Sequence, residues 1–146
     1  MLRIMLVTPD NKGFASLKAQ SVEEHYNMLR RLEANWLSGE NRFDLPGEKL
    51  LGVFAREELV GIGGLNRDPF SADERAGRIR HLYLSPAWRG KGAGQQLLQA
   101  LLAGADHWFD FYNTHAPEHA FLFYEAAGFQ AVFGEERVTH RLVTRR

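Results

Sequence analysis

Apolar and polar positions along this chain follow two periods, one helical and one of strand type. Behind Val22, the residues Tyr26, Leu29, Leu32 and Trp36 stand three or four apart, which predicts a single buried helix face. Ser21 with Glu24 three residues later reads as a capping box at the start of that helix, and Ser38-Gly39 as its end. Residues 3–8 have strand composition and run into the turn signal Pro9-Asp10-Asn11. Lys49–Ala55 and residues 58–65 read as two strands joined by a hairpin turn at Arg56, Glu57 and Glu58. Gly61, Gly63 and Gly64 predict a bulge or a close backbone approach in the second. Residues 78–84 alternate and stop at Ser85-Pro86. Residues 95–105 carry Leu97, Leu98, Leu101, Leu102 and Ala105 on one helix face. Aromatic-rich residues 107–112 read as a strand. A helix over 117–127 opens on Pro117 and ends at Gly128, and a last strand covers 137–143. The order is strand, helix, three strands, helix, strand, helix, strand: a mixed α/β layout with a strand–loop–helix–strand unit at its centre, which implies a right-handed parallel crossover.

Composition narrows the class. The 146 residues fit one domain, taken as 1–146, with 45% apolar and 12% aromatic residues to build a core. Eighteen basic residues balance eighteen acidic ones, and no long basic run occurs, so nucleic acid is not the expected partner. The basic pair Arg145-Arg146 reads as a solvated tail. With no cysteine there are no disulfides, thiolate ligands or cysteine nucleophiles. No stretch has the length of a membrane helix, and the apolar run over residues 1–7 is too short for a signal-peptide core. The expected location is therefore the cytoplasm, with no membrane partner.

The densest chemical signal is Arg89-Gly90-Lys91-Gly92-Ala93-Gly94, between the strand at 78–84 and the following helix. A helix start offers unpaired N–H groups and the positive end of the helix dipole, which together hold an anionic phosphate. Glycines at 90, 92 and 94 let the backbone approach the anion, and Arg89 and Lys91 add charge. The P-loop pattern fails, because Gly92 follows Gly90-Lys91 and Ser85 stands where a glycine is required. The dinucleotide fingerprint fails because Gln95 stands at its third glycine.

Arg89, Gly92 and Gly94 do occupy the fixed positions of Arg/Gln-x-x-Gly-x-Gly/Ala. With Leu82, Tyr83, Leu84, Ser85 and Pro86 upstream, and Phe123, Tyr124, Glu125, Ala126, Ala127, Gly128 and Phe129 as a second block, the chain resembles the GNAT superfamily of N-acetyltransferases. That resemblance implies a mixed, strongly twisted sheet whose central parallel strands splay apart, flanked by helices, with the pantetheine arm of acetyl-CoA between the strands. It implies cofactor contacts from Leu82, Tyr83, Leu84, Arg89, Gly90, Lys91, Gly92, Ala93 and Gly94. The backbones of Leu82 and Leu84 would pair with pantetheine, and the Leu82 N–H would stabilise the oxyanion. It implies Tyr124 as the general acid toward the leaving thiolate, and a small-molecule or peptide amine as acceptor; a homodimer is common among relatives. The rivals are a silent acyl-CoA-binding sensor and an acyltransferase with another acyl donor.

Two positions depart from the family pattern. Pro117 replaces an asparagine that contacts pantetheine in many relatives, leaving Asn113 in the preceding loop as a substitute. Arg78 stands where many relatives carry a carboxylate base, leaving His81, Asp110 or a water relay. His115 and His119 are four apart, but Pro117 lies between them and no third ligand is evident, so no metal is expected. Glu23, Glu24, Glu33, Glu40, Asp44 and Glu48 lie in the region that borders the acceptor cleft in the family, where carboxylates attract a protonated amine. Trp36, Phe43 and Phe70 fit an acceptor pocket or core packing equally well.

Overall fold

The computed structural model describes residues 2–144; Arg145 and Arg146, read above as a tail, lie outside them. Chain order is β1 (Leu2–Leu6), α1 (Phe14–Glu23), α2 (Met28–Ser38), β2 (Lys49–Ala55), β3 (Glu58–Arg67), β4 (Ala76–Leu84), α3 (Ala93–Leu102), β5 (Phe111–Thr114), α4 (Phe121–Ala126), β6 (Gln130–Ala131) and β7 (His140–Val143). The strands form one mixed sheet in the order β1-β2-β3-β4-β5-β7-β6. The β4–β5 pair is parallel, and the other recorded pairings are antiparallel.

Alternate strand residues feed two cores, one on each face of the sheet. Val53, Leu65 and Ile79 pack with Leu97, Leu98 and Leu101 of α3. Leu50, Ile62 and Tyr83 pack with Phe14 and Leu17 of α1 and with Leu29 and Leu32 of α2. Lys49 ties β2 to the end of α3 by donating from Nζ to the carbonyls of Ala100 and Ala103, at 2.9 and 2.8 Å. Those are carbonyls that a helix end leaves open.

The helix predicted from Ser21 is two helices. Ser21 is fully buried inside α1, where its Oγ donates back to the Lys18 carbonyl at 2.7 Å. It caps nothing. The N–H groups of Tyr26 and His25 return to the carbonyls of Ser21 and Val22, with His25 at φ 70. That is a Schellman closure with histidine in the place glycine usually takes. The supposed start of a helix is thus the end of one, and Glu24 becomes free to leave the helix. The α1 face is short on apolar residues because a buried serine fills its third position, so it shows little periodicity.

Elsewhere the expected boundaries shift. The strand placed at 107–112 is a short 3-10 turn at Ala105–His107 followed by β5, which brings Asn113 into a strand rather than a loop. The helix expected over 117–127 opens as a 3-10 turn before α4 and closes at Gly128, φ 98, with Phe129 N–H bonded to the Tyr124 carbonyl at 3.1 Å. The last strand begins at His140 rather than 137 and pairs with β6, which the sequence reading missed because it is two residues long.

Candidate active site

The β4–β5 seam is closed at one end and open at the other. Pairing runs through Ala76↔Phe111, Gly77↔Tyr112 and Arg78↔Asn113, while β4 continues to Leu84. At the closed end, Asp68 (2% exposed) accepts from Asn113 Nδ2 at 2.8 Å, from Arg78 Nη1 at 3.4 Å and from the Phe70 N–H at 2.9 Å. Arg141 holds the other amide end of Asn113 at 2.6 Å. The Phe70 ring lies between the guanidinium groups of Arg78 and Arg137, at 4.9 and 4.7 Å. Arg78 is therefore spent on pinning the seam, and Asn113 with it. Past this point β4 bulges. Its register against β3 shifts between Ile62 and Gly64, and His81 sits at φ 59 opposite the irregularity. This is where the glycines of β3 matter: a Cβ on Gly61 would stand 2.4 Å from Leu84 Cδ2, and one on Gly64 2.5 Å from Phe43 Cε1.

Ser85 N–H bonds the Val60 carbonyl at 2.8 Å, and Tyr83 pairs with Ile62, so these two residues direct their backbone groups at β3. Backbone direction alternates along a strand, which turns the groups of Leu82 and Leu84 toward the open seam. Of the three strand residues predicted for a cofactor, Leu82 and Leu84 face the gap and Tyr83 does not. At the fork itself, Thr114 Oγ1 donates to the Ile79 carbonyl at 3.1 Å, and the Tyr124 hydroxyl neighbours Thr114. Tyr124 is buried beside Phe123 and Phe129, and burial pushes its phenol up to about 12.

The loop lies at the open end of the seam. Gly90 and Gly92 adopt φ 74 and 86, and a Cβ on either would meet no atom within 4 Å, so their role is backbone conformation beside open space. Ala93 opens α3, which has no side-chain cap on its N–H groups. Gly94 serves differently from the expectation of ligand approach: its Cβ would stand 2.9 Å from Phe123 Cε1 and 3.2 Å from Leu84 Cδ1, so it lets α3 pack against α4 and β4. Lys91 is exposed, with Nζ 5.3 Å from the Trp88 ring. Arg89 is not free to face a ligand. Its guanidinium grips Glu24 through both terminal nitrogens, one at 2.9 Å, and Nε donates to the Leu84 carbonyl at 3.1 Å. Tyr83 adds its hydroxyl to the same carboxylate. The Arg89 hydrogen bonds hold Glu24 below the usual carboxylate range. This brace joins α1 to a loop 65 residues away and was invisible in the sequence, where Glu24 reads as a capping residue.

The base candidates fare poorly. Asp110 pairs with Arg75 at the closed end, about seven residues, or ~23 Å, along the strand direction from Leu82. His81 is buried against Phe43, and burial first, then Arg80 and Arg31, holds it down to about 3, far from a base poised near neutrality. His119 is exposed and meets the Tyr26 hydroxyl at 3.3 Å. Among the described residues no cluster of three metal-ligating side chains occurs, and no helix is long and apolar enough to cross a membrane. Phe43 is core, while Phe70 is half-exposed within its arginine pair. Trp36 stacks under Arg42 at 4.9 Å.

Comparison with known proteins agrees with this layout. The family model for an acetyltransferase (GNAT) domain matches residues 14–144. A provisionally identified acetyltransferase from Exiguobacterium sp. 255-15 is 29% identical over 98% of this chain and 93% of its own, with a TM-score of 0.87. An acetyltransferase from Thermus thermophilus is 20% identical over 99% and 96%, with a TM-score of 0.71. A GNAT-family acetyltransferase from Staphylococcus aureus is 16% identical over 97% and 96%, at 0.66. The last two speak for the fold alone. No curated protein matches the chain.

Proposed function

The chain belongs to the GNAT acetyltransferase family, whose members transfer an acyl group from acyl-CoA, and from that premise we propose that it moves acetyl from acetyl-CoA directly to a primary amine. The observation that carries the reading is the half-open β4–β5 seam, whose free edge at Leu82 and Leu84 ends beside the loop of Arg89 to Gly94. The residues fit the donor. The backbone groups of Leu82 and the Leu84 N–H face the open seam and suit the pantetheine amides, while the Leu84 carbonyl is held by Arg89 Nε. Gly90, Gly92, Ala93 and Gly94 offer main-chain N–H groups at a helix start to the pyrophosphate, and Lys91 offers charge. Arg89 acts by shaping the loop, since its own charge is neutralised by Glu24.

In the reaction, the amine nitrogen bonds to the acyl carbon as the carbon–sulfur bond breaks, the nitrogen gives up a proton, and sulfur leaves as a thiolate that takes one. The Leu82 N–H, just past the bulge at His81, stabilises negative charge on the carbonyl oxygen. Tyr124 remains protonated at any working pH and donates toward the sulfur. With His81 and Asp110 removed as bases, water relays the amine proton to solvent.

The test is thermal stabilisation by acetyl-CoA together with thiol release on a panel of amines. A ligand at a hundred times its Kd adds about 2.7 kcal/mol to stability. No melting shift with saturating acetyl-CoA sinks the donor assignment. Binding with no turnover of any amine leaves a sensor of acyl-CoA instead.

A further inference from the structure

A cavity of about 410 Å³ lies where the α2–β2 loop meets the end of β3, with Arg80 of β4 on its wall. That volume suits a small molecule. Its charges are unevenly satisfied. Glu48 accepts from the N–H groups of Leu45 and Arg67, at 3.1 and 2.8 Å. Asp68 is occupied by Arg78 and Asn113. Arg80 is half-buried, yet among the described residues its guanidinium has no hydrogen bond and no ion pair. Asp68 and Glu40 act on it as opposite charges without pairing, and Arg78 and Arg31 oppose it. Two buried amide atoms in the same wall are also without partners: Asn66 Oδ1, on a residue only 4% exposed, and Asn41 Nδ2. A half-buried cation and two amide groups without protein partners each cost free energy, and such groups call for a ligand or water to complete them.

We infer that this cavity is the acceptor pocket and that the acceptor is a small amine carrying a carboxylate, an amino acid in chemical class. Arg80 supplies a forked cation for the carboxylate, and Asn41 Nδ2 supplies a second donor. Asn66 Oδ1, across from Arg78 on the side of Arg80 away from Leu82, supplies an acceptor for a further polar N–H or O–H of the molecule rather than for the reacting amine. Arg80 precedes the bulge at His81 and Leu82 follows it, so their backbones stand about 7 Å apart along the strand, close enough for one small acceptor to reach both. Glu40 and Asp44, exposed at the rim, draw the ammonium form inward. The inference rests on the acyl-transfer reading above.

The experiment compares α- and ω-amino acids with the carboxamides of the same carbon skeletons. The readouts are thiol release with acetyl-CoA and melting of the CoA-loaded protein. The acids are expected to be preferred by about tenfold or more in kcat/KM. Arg80→Gln is expected to abolish the preference by raising KM for the acids, and Arg80→Lys to restore part of it. Because Arg80→Gln removes an unpaired, half-buried charge, the ligand-free variant is expected to melt no lower than wild type. Equal kcat/KM for acid and carboxamide, or a preference that survives Arg80→Gln, overturns the inference. A normal acetyl-CoA melting shift with neither binding nor turnover of any acid also overturns it, and leaves the donor reading standing. Loss of the acetyl-CoA shift itself strikes the donor reading first.

Discussion

Removing the Asp68 carboxylate tests whether the closed end of the β4–β5 seam is held electrostatically. Asp68→Ala strips one partner each from Arg78, Asn113 Nδ2 and the Phe70 N–H, with Arg78 5% exposed and Asn113 2% exposed. Breaking a buried ion pair from one side costs about 3–5 kcal/mol, because the remaining charge stays buried and uncompensated. A 146-residue domain has an unfolding entropy near ~0.3 kcal/mol/K, so the melting temperature should fall by about 10–15 °C. Urea unfolding gives the free energy, and thermal melting gives the second reading. The double variant Asp68→Leu with Arg78→Leu removes both charges and should recover most of the loss. Because the pair pins the strands just below the fork, Asp68→Ala should also raise KM for acetyl-CoA. A cost below about 1 kcal/mol, or a double variant no more stable than the single, refutes the account of how the seam is closed.

Three further outcomes follow from particular residues. His81 is neutral in the fold down to about pH 3 but takes a proton near 6.5 when unfolded, so the unfolded state binds more protons between those values and stability falls as pH drops through that window. Unfolding free energies from urea titration at pH 7 and pH 5 should therefore differ by about 2 kcal/mol more in wild type than in His81→Asn, a substitution that keeps the φ of 59 accessible. Tyr124→Phe should lower kcat by about 10²-fold with little change in the KM for acetyl-CoA, and equal kcat across the pH range would remove Tyr124 from the chemistry. Gly94→Ala should destabilise by about 1–3 kcal/mol through overlap with Phe123 and Leu84, as read by urea unfolding; an unchanged midpoint would show that α3 has room to shift.

Local chemistry decided much of this protein before any folding partner was known. Lys49–Ala55 is a strand over its full predicted span, Gly39 and Gly128 end their helices at positive φ, and Arg89 to Gly94 joins a strand to a helix start. In each case the cause lies within a few residues: a short continuous apolar run bounded by turn residues, a glycine free of Cβ, a helix dipole. Contacts between distant residues decided the rest. Glu24 looked like a cap because its sequence neighbours suit one, and only the Schellman turn at His25 released it to brace Arg89 and Tyr83. Arg78 looked like a missing base, and only the fold showed Asp68 and Asn113 waiting for it. Arg80 attracted no notice at all, since an unpaired cation is defined by what surrounds it, and its surroundings come from α2, the following loop and β3. The loop proposed to hold phosphate was legible because backbone geometry is a local property. The cavity proposed as the acceptor pocket was not, because burial and pairing arise only when the chain closes on itself.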